Sequence, residues 1–192
     1  MRDLARLTGV LMLISLVSAL ALSQAFELTK ERIAYERRQE VLRAIRAVLP
    51  PFDNEPDQDT VEVVIGKDRR GREKKVVFYQ GRREGKLVGR AFVITTHEGY
   101  GGDIDVMMGV TPEGVITGVE ILRHLETPGL GDKIVKDRAW RESFKGKSLA
   151  NDIRVKKDGG EIDQFAGATI SPRAVCQAVR MGLELHQKEF AS

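Results

Sequence analysis

The sequence is poor in the residues that build metal sites and disulfide frameworks. Its 192 residues include one cysteine and three histidines. A single cysteine, Cys176, excludes an intrachain disulfide and the four-thiolate ligand set of an iron–sulfur cluster. The histidines His97, His124 and His186 are widely separated and lack the short spacing of metal-ligand pairs. We therefore expect no metal site, and we interpret Cys176, which falls inside a predicted helix, as a buried apolar residue.

The sequence also has no large excess of positive or negative charge. The 31 Lys and Arg residues nearly balance the 28 Asp and Glu residues, which gives a formal net charge of +3. Proteins that bind nucleic acid concentrate basic side chains on one surface, whereas the basic clusters here contain acidic neighbours and glycines. The composition therefore argues against nucleic acid as a partner.

One long stretch lacks charge altogether. The 20 residues between Arg6 and Glu27 read LTGVLMLISLVSALALSQAF. As an α-helix this run is about 30 Å long, which matches the hydrocarbon core of a bilayer. We predict a transmembrane anchor over residues 1–28. The alternative is a cleavable signal peptide, with small residues suited to cleavage at Ala19–Ala21 or Ser23–Ala25.

The basic residues beside this run leave its orientation open. They are Arg2 and Arg6 on the first flank and Lys30, Arg32, Arg37 and Arg38 on the second. Basic residues favour the cytoplasmic side of a membrane, and the second flank has more Lys and Arg. This count would therefore place the C-terminal part in the cytoplasm. The short basic leader instead resembles an export signal, which argues for the opposite orientation.

Residues 29–59 are predicted to form a helical stalk and a polar connector. Apolar residues of the stalk recur at the spacing of one helical face, at Val41, Leu42, Ile45, Val48 and Leu49. Two successive prolines at 50 and 51 end this helix. The connector that follows, FDNEPDQD, is rich in turn-forming residues.

From residue 60 the pattern changes to the two-residue alternation of β-strands. Five runs rich in β-branched residues are predicted as strands, at 60–66, 74–80, 86–95, 103–110 and 115–122. Their connections are too short for helical crossovers, so we expect antiparallel pairing.

Two helices are predicted after the strands. The first covers Lys133–Phe144 and places Trp140 and Phe144 on a buried face. The second runs from Pro172 to Phe190, and His186 falls on its apolar face as a packed residue. The predicted fold class is α+β: an N-terminal transmembrane helix, then a domain at 60–192 with an antiparallel sheet and packed helices.

The segment HLETPGLGD, residues 124–132, is a first candidate for chemistry. Pro128 and Gly129 predict a turn, and Gly129 and Gly131 allow the backbone to approach a ligand. Glu126 and Thr127 would present an acceptor and a hydroxyl just before this turn. The alternative is a plain connection between a strand and a helix.

The segment DQFAGATIS, residues 163–171, is a second candidate. Ser171 suits a helix cap and Pro172 the first helical position, so the Gly-Ala-Thr triplet before them needs another explanation or none. The small Gly167 and Ala168 leave room beside the Thr169 hydroxyl. An anion there would face the positive end of the helix. The alternative is an ordinary capped helix.

This second segment resembles the flavinylation motif Asp-x-x-(Ser/Thr)-Gly-Ala-Thr-x-(Ser/Thr) of FMN-binding domains. The resemblance implies that Thr169 carries FMN through a phosphoester bond added by a flavin transferase. It also implies that Asp163, Gly167 and Ala168 belong to the recognition sequence, and that Ser171, at the last position of the motif, is among the cofactor-binding residues. One departure is Ala166, where many members of the family have a hydroxyl.

Further segments in the same order extend the resemblance over essentially the whole chain. GYGGDIDVMMGV, HLETPGLGD, Trp140 with FKGKS, and the flavinylation motif together resemble the G subunit of the Rnf complexes, which are ion-translocating ferredoxin:NAD oxidoreductases. The resemblance implies an electron carrier in the inner membrane, partnered by other membrane subunits, with a domain at 60–192 that holds FMN on the periplasmic side.

The same resemblance gives expectations for the residues of the flavin pocket. Glu126 and Thr127 are expected to contact the flavin ring or its ribityl chain, and Gly129, Leu130 and Gly131 are expected to shape the pocket. Two alternatives remain. One is the related C subunit of the sodium-translocating NADH:quinone oxidoreductase, and the other is a membrane-anchored binding or scaffold module that carries no flavin.

Overall fold

The computed structural model describes residues 2–67 and 71–190. Within them the chain divides into two units, one up to Val41 and one from Leu42 onward. Helix α1, Arg2–Val48, contributes to both units. Its apolar side chains in the first unit are exposed, among them Leu7, Leu11, Leu13, Leu16 and Leu20. The predicted apolar helix is confirmed, and by length and composition it can cross a membrane.

The second unit is built on one five-stranded antiparallel sheet. Its strands follow the chain in the order β1-β2-β3-β4-β5. They are β1 (Thr60–Lys67), β2 (Glu73–Arg83), β3 (Lys86–Gly99), β4 (Gly102–Val110) and β5 (Ile116–Arg123). All five predicted strands are therefore present, and every neighbouring pair is antiparallel.

The segment between β5 and the last helix differs from the prediction. The single helix expected over Lys133–Phe144 is two short helices, α2 (Lys133–Lys136) and α3 (Arg138–Glu142). Asp137 separates them, because its side chain caps α3 by accepting the backbone N–H of Trp140 at 2.9 Å. Trp140 and Phe144 are buried as predicted, with their rings edge to face at 5.2 Å.

The last helix, α4 (Ile170–Phe190), packs on one face of the sheet. Its apolar stripe of Val175, Val179 and Leu183 is buried against β3 and β4, within the core of the domain. His186 continues this stripe and is buried as predicted, with Nε2 at 3.3 Å from Nη1 of Arg90. Burial, and then the positive charge of Arg90, lower the pKa of His186 to about 4.

The single cysteine also lies on α4. Cys176 is free and only 2% exposed, in agreement with its interpretation as a buried apolar residue. Burial raises the pKa of its thiol to about 12. The thiol is therefore protonated and inert at neutral pH.

The opposite face of the sheet receives the C-terminal end of α1. Here the strands carry glycines at 81, 89, 109 and 118. A Cβ atom at Gly109 would lie 2.3 Å from the carbonyl oxygen of Val48, and one at Gly118 would lie 2.8 Å from the Val48 Cα. The Thr117 hydroxyl donates to the same Val48 carbonyl at 2.5 Å. The predicted apolar face of the stalk is thus confirmed at Ile45 and Val48, which are 0% and 1% exposed.

Candidate functional site

The two segments singled out by sequence meet at one cavity of about 300 Å³. It lies between the turn that follows β5 and the first turn of α4. Eight of the ten predicted site residues line it, and Asp163 and Gly129 do not. The lining residues are Tyr100, Glu126, Thr127, Leu130, Gly131, Gly167, Ala168, Thr169, Ile170 and Ser171.

Two lining residues, Tyr100 and Ile170, were missed by the sequence reasoning. Both side chains are large, apolar in their body and exposed, at 71% and 44%. Tyr100 belongs to the GYGG stretch, and an aromatic residue among three glycines was the available signal. Ile170 was hidden because the helix was expected to begin two residues later.

The turn after β5 is held closed by its own hydrogen bonds. The N–H groups of Leu130 and Asp132 donate to the Thr127 carbonyl at 3.2 and 3.3 Å. The N–H of Gly129 donates to Oδ1 of Asp132 at 2.8 Å, and Gly129 has φ +79°, which suits glycine. Asp132 is another residue of this region that sequence reasoning missed. This turn keeps Thr127 and Leu130 at the cavity.

Asp132 is buried and has a cationic partner. Nζ of Lys136 lies 2.5 Å from its Oδ2. That hydrogen bond, together with the Gly129 N–H, holds the pKa of the Asp132 carboxyl below its usual range. The turn is therefore stabilised by an ionised side chain at neutral pH.

The start of α4 differs from the prediction. The helix begins at Ile170 rather than Pro172, and the Thr169 carbonyl accepts the N–H of Arg173 at 3.1 Å. Ser171 is therefore inside the first turn and is not the cap. It is 1% exposed, and its hydroxyl donates to Oε2 of Glu126 instead of capping the helix. Pro172 fits the first turn, where no intrahelical donor is required of it.

The residues before α4 form a turn that is held by hydrogen bonds and an ion pair. The Asp163 side chain pairs with Lys156 at 2.7 Å and does not line the cavity, while its carbonyl accepts the Trp140 Nε1–H at 2.6 Å. The N–H of Ala168 donates to the Phe165 carbonyl at 3.1 Å. Gly167 has φ +75°, a conformation that other residues adopt with strain. These contacts fix the backbone just ahead of Thr169.

Thr169 itself is half-buried at the cavity. Within residues 2–67 and 71–190, its hydroxyl makes no hydrogen bond to another protein group. No Lys or Arg is among the lining residues, and the nearby Arg173 is engaged by Asp158 at 2.6 and 2.8 Å. The site thus offers the unbonded Thr169 hydroxyl beside the backbone N–H groups that begin a 21-residue helix.

Glu126 is the buried acid of the site. It is 4% exposed, and each of its carboxylate oxygens has a protein donor. The Gly101 N–H donates to Oε1 at 3.0 Å, and the Ser171 hydroxyl donates to Oε2. The carboxylate therefore joins the turn before β4 to the start of α4.

Comparison with solved structures identifies the fold. The chain is similar to the C subunit of the Na⁺-translocating NADH-quinone reductase from Parabacteroides distasonis, with a TM-score of 0.56, 16% identity, and coverage of 86% of this chain and 96% of the other. It is also similar to NqrC of Shewanella oneidensis, with a TM-score of 0.50, 23% identity, and coverage of 76% and 70%. These likenesses establish the α+β fold that was predicted.

Comparison of sequences is more specific. Residues 99–184 match the model of the FMN-binding domain. The chain is 37% identical to the G subunit of the ion-translocating oxidoreductase complex of Aliivibrio fischeri, over 94% of this chain and 90% of the relative. The G subunits of Stutzerimonas stutzeri and Cereibacter sphaeroides are 41% and 40% identical, over 92% and 96% of this chain and 78% and 85% of theirs. With its apolar N-terminal helix and its FMN-binding domain, the chain belongs to the G-subunit family of the ion-translocating oxidoreductase complexes.

Proposed function

We propose that this chain is the electron-transfer subunit of a membrane-bound ion-translocating ferredoxin:NAD oxidoreductase, and that FMN is attached through its phosphate to Thr169. One observation carries the proposal. Two segments that are distant in the sequence, 126–131 and 167–171, line a single cavity, and the Thr169 hydroxyl stands at it without a protein partner among the described residues. The family membership supports the same function.

The residues present fit a flavin nucleotide. A cavity of about 300 Å³ is at the lower end of the range for small-molecule sites, so part of a bound flavin would remain open to solvent. Tyr100, Leu130 and Ile170 supply apolar surface for a ring system, and Thr127 supplies a hydroxyl. Because no Lys or Arg lines the cavity, a phosphate at Thr169 would depend on the backbone N–H groups of the first turn of α4.

Attachment requires an activated donor. The Thr169 Oγ1 forms the new bond to phosphorus, its proton departs, and the leaving group on that phosphorus departs with the bonding electrons. A phosphate monoester has no good leaving group, so we infer a donor with a phosphoanhydride, such as a flavin dinucleotide, from which a nucleoside monophosphate leaves. A flavin transferase supplies this step, as the motif implies.

Linkage through the phosphate suits an electron carrier. When bound, FMN accepts and donates one or two electrons at its ring, and the tether leaves that ring unsubstituted. Gly167 and Ala168 keep the approach to Thr169 open. Leu130 and Gly131 form the opposite wall, and Gly129 belongs to the turn that holds them there. Electrons are exchanged with other membrane subunits of the complex, so that neither ferredoxin nor NAD needs to contact this chain.

Location follows from the same proposal. Residues 1–28 anchor the chain once in the inner membrane, residues 29–59 form the stalk and connector, and residues 60–192 hold the flavin on the periplasmic side. The apolar helix supports membrane association. The side of the membrane is part of the proposal, because the flanking basic residues argue in both directions.

The linkage is tested by expressing the full chain with and without a flavin transferase. On a denaturing gel under ultraviolet light, the wild-type chain should fluoresce only when the transferase is present. Thr169→Ala should lose all fluorescence, because the acceptor oxygen is gone, whereas Thr169→Ser should retain a measurable fraction. Mass spectrometry should place the added FMN on the peptide that contains residue 169.

Thr95→Ala is the matched control. It removes a half-buried threonine hydroxyl that bonds Asp105 at 2.7 Å and does not line the cavity, so its fluorescence should equal that of the wild type. A wild-type chain that stays dark with an active transferase, or a Thr169→Ala chain that fluoresces, would refute the linkage. Purification of the native complex, followed by identification of its neighbours, separates the ferredoxin:NAD enzyme from an NADH:quinone enzyme.

A further inference from the structure

Glu126 is unusual among the buried groups of the site because its carboxylate has no cationic partner. No Lys or Arg forms an ion pair with it in the part of the chain that the structure describes. A buried carboxylate loses its hydration, so it requires hydrogen-bond donors from the protein in place of water. Here the compensation comes from two donors, the Gly101 N–H and the Ser171 hydroxyl.

The space around this carboxylate is closely filled. A Cβ atom at Gly131 would lie 2.6 Å from Oε2 of Glu126 and 2.6 Å from Oγ of Ser171. A Cβ atom at Gly99 would lie 2.7 Å from Oε1. Glycine at both positions lets the backbone at the end of β3 and in the turn at 127–132 approach the carboxylate, which is therefore held in one place.

The two donors belong to different segments of the site. Gly101 lies next to Tyr100 in the turn between β3 and β4. Ser171 lies two residues after Thr169, in the first turn of α4. Glu126 itself directly precedes Thr127, whose carbonyl closes the turn at 127–132. One carboxylate thus ties together the three segments that line the cavity.

We propose that Glu126 is a positioning residue. Its carboxylate fixes the first turn of α4 against the turns at 100–101 and 127–132, and so holds the Thr169 hydroxyl in the geometry that receives the flavin phosphate. It acts through Ser171 and Gly101 rather than through a contact of its own with the flavin. This role rests on the proposed attachment of FMN at Thr169.

The test measures the rate of FMN incorporation into full-length chains in the presence of a flavin transferase. Glu126→Ala leaves both donors unpaired, and incorporation should slow by about tenfold or more, as small misplacements of a reacting group do. Glu126→Gln keeps the shape: its amide oxygen accepts the Gly101 N–H, and its amide N–H donates to the Ser171 oxygen. Incorporation into the Gln variant should stay within about threefold of the wild type, a small change on the same scale.

Two further variants separate positioning from general destabilisation. Val179→Ala removes buried side-chain volume from α4, eight residues beyond Ser171, and lowers thermal stability without touching the site. At a temperature where all variants are folded, it should incorporate FMN at the wild-type rate. Gly131→Ala crowds the Glu126–Ser171 contact while leaving both residues and the motif at 163–171 unchanged, so it should slow incorporation as Glu126→Ala does.

Hydrogen exchange supplies a readout of the contact itself. The Gly101 amide should exchange faster in Glu126→Ala and at the wild-type rate in Glu126→Gln and Val179→Ala. A Glu126→Ala chain that incorporates FMN no more slowly than Val179→Ala would overturn the positioning role. A Glu126→Gln chain as slow as Glu126→Ala would also overturn it, because charge would then matter instead of geometry. If the wild type itself takes up no FMN, the result refutes the proposed attachment to Thr169, on which the positioning role rests.

Discussion

The two faces of the sheet pack against helices in different ways. On the face that contacts α4, the glycine in close contact belongs to the helix. On the face that contacts the end of α1, the glycines in close contact belong to the strands. Gly182 of α4 lies over side chains: a Cβ there would be 2.2 Å from Sδ of Met108 and 3.1 Å from the ring of Phe92. Gly109 of β4, one residue from Met108 and therefore on the opposite face, lies under the backbone of Val48.

The two faces differ in whether the neighbouring atoms can move to make room for a new side chain. A thioether is flexible and can rotate away from a new methyl group, whereas a backbone carbonyl held by its own hydrogen bonds cannot. The face that receives the end of α1 is therefore rigidly specified, and the face that receives α4 is adjustable. Two substitutions test this comparison, and a pH titration tests the burial of His186 on the α4 face.

The largest effect is expected for Gly109→Ala. The new Cβ would lie 2.3 Å from the Val48 carbonyl oxygen and 2.6 Å from the Thr117 hydroxyl, so the end of α1 must shift. We expect the free energy of unfolding of the detergent-solubilised full chain to fall by about 3 kcal/mol, the upper end of the range for overpacking. Denaturant titration checks this value. An unchanged midpoint would show that the glycine-lined face tolerates side chains.

A smaller effect is expected for Gly182→Ala. The helix gains about 1 kcal/mol from replacing glycine by alanine, while the displacement of Met108 costs a similar amount or slightly more. The free energy of unfolding should therefore change by less than about 1.5 kcal/mol on these values. The same titration, run beside Gly109→Ala, gives the comparison directly. A loss as large as that of Gly109→Ala would contradict the distinction between the two faces.

The smallest effect, absent at neutral pH, concerns His186 at the far end of α4. Its folded-state pKa, about 4, is below the ordinary value of 6.5, so the unfolded chain binds the proton more readily. Stability should therefore fall as the pH drops from about 6.5 to about 4, and this contribution should be level above that window. Arg90 opposes protonation and Glu113 favours it.

Thermal unfolding of the wild type and of His186→Gln at several pH values isolates this contribution. The difference between the two chains should change with pH only inside the window, because other acids titrate in both. Parallel pH dependences would show that His186 is protonated as easily in the folded chain as in the unfolded one.

Much of this arrangement was predictable from local pattern. The uncharged run at 7–26 and the alternation from residue 60 indicated the helix and all five strands, because burial of one face imposes a period on the sequence. The Gly-Ala-Thr triplet was singled out because Ser171 and Pro172 were expected to account for the helix start, and because the segment resembles the flavinylation motif. The turn at 127–132 was predicted from Pro128 and Gly129.

The features that were missed depend on distant partners. Ser171 looks like a cap in the sequence, yet its hydroxyl is taken by Glu126, 45 residues away. Asp137 is a local exception: its side chain accepts the N–H of Trp140, three residues later, and so interrupts a periodic apolar pattern. The glycines of the strands gave no signal of a docked helix, because the residues they meet at its end, Val48 and Leu49, are far away in the sequence.

The buried thiol of Cys176 has a practical consequence for the membrane question. Since this native thiol is shielded and protonated at neutral pH, a cysteine introduced at an exposed position would be the reactive one. A membrane-impermeant maleimide applied to intact cells would then label the chain only if that position faces outward. Site-directed labelling of this chain therefore does not require prior removal of the native cysteine.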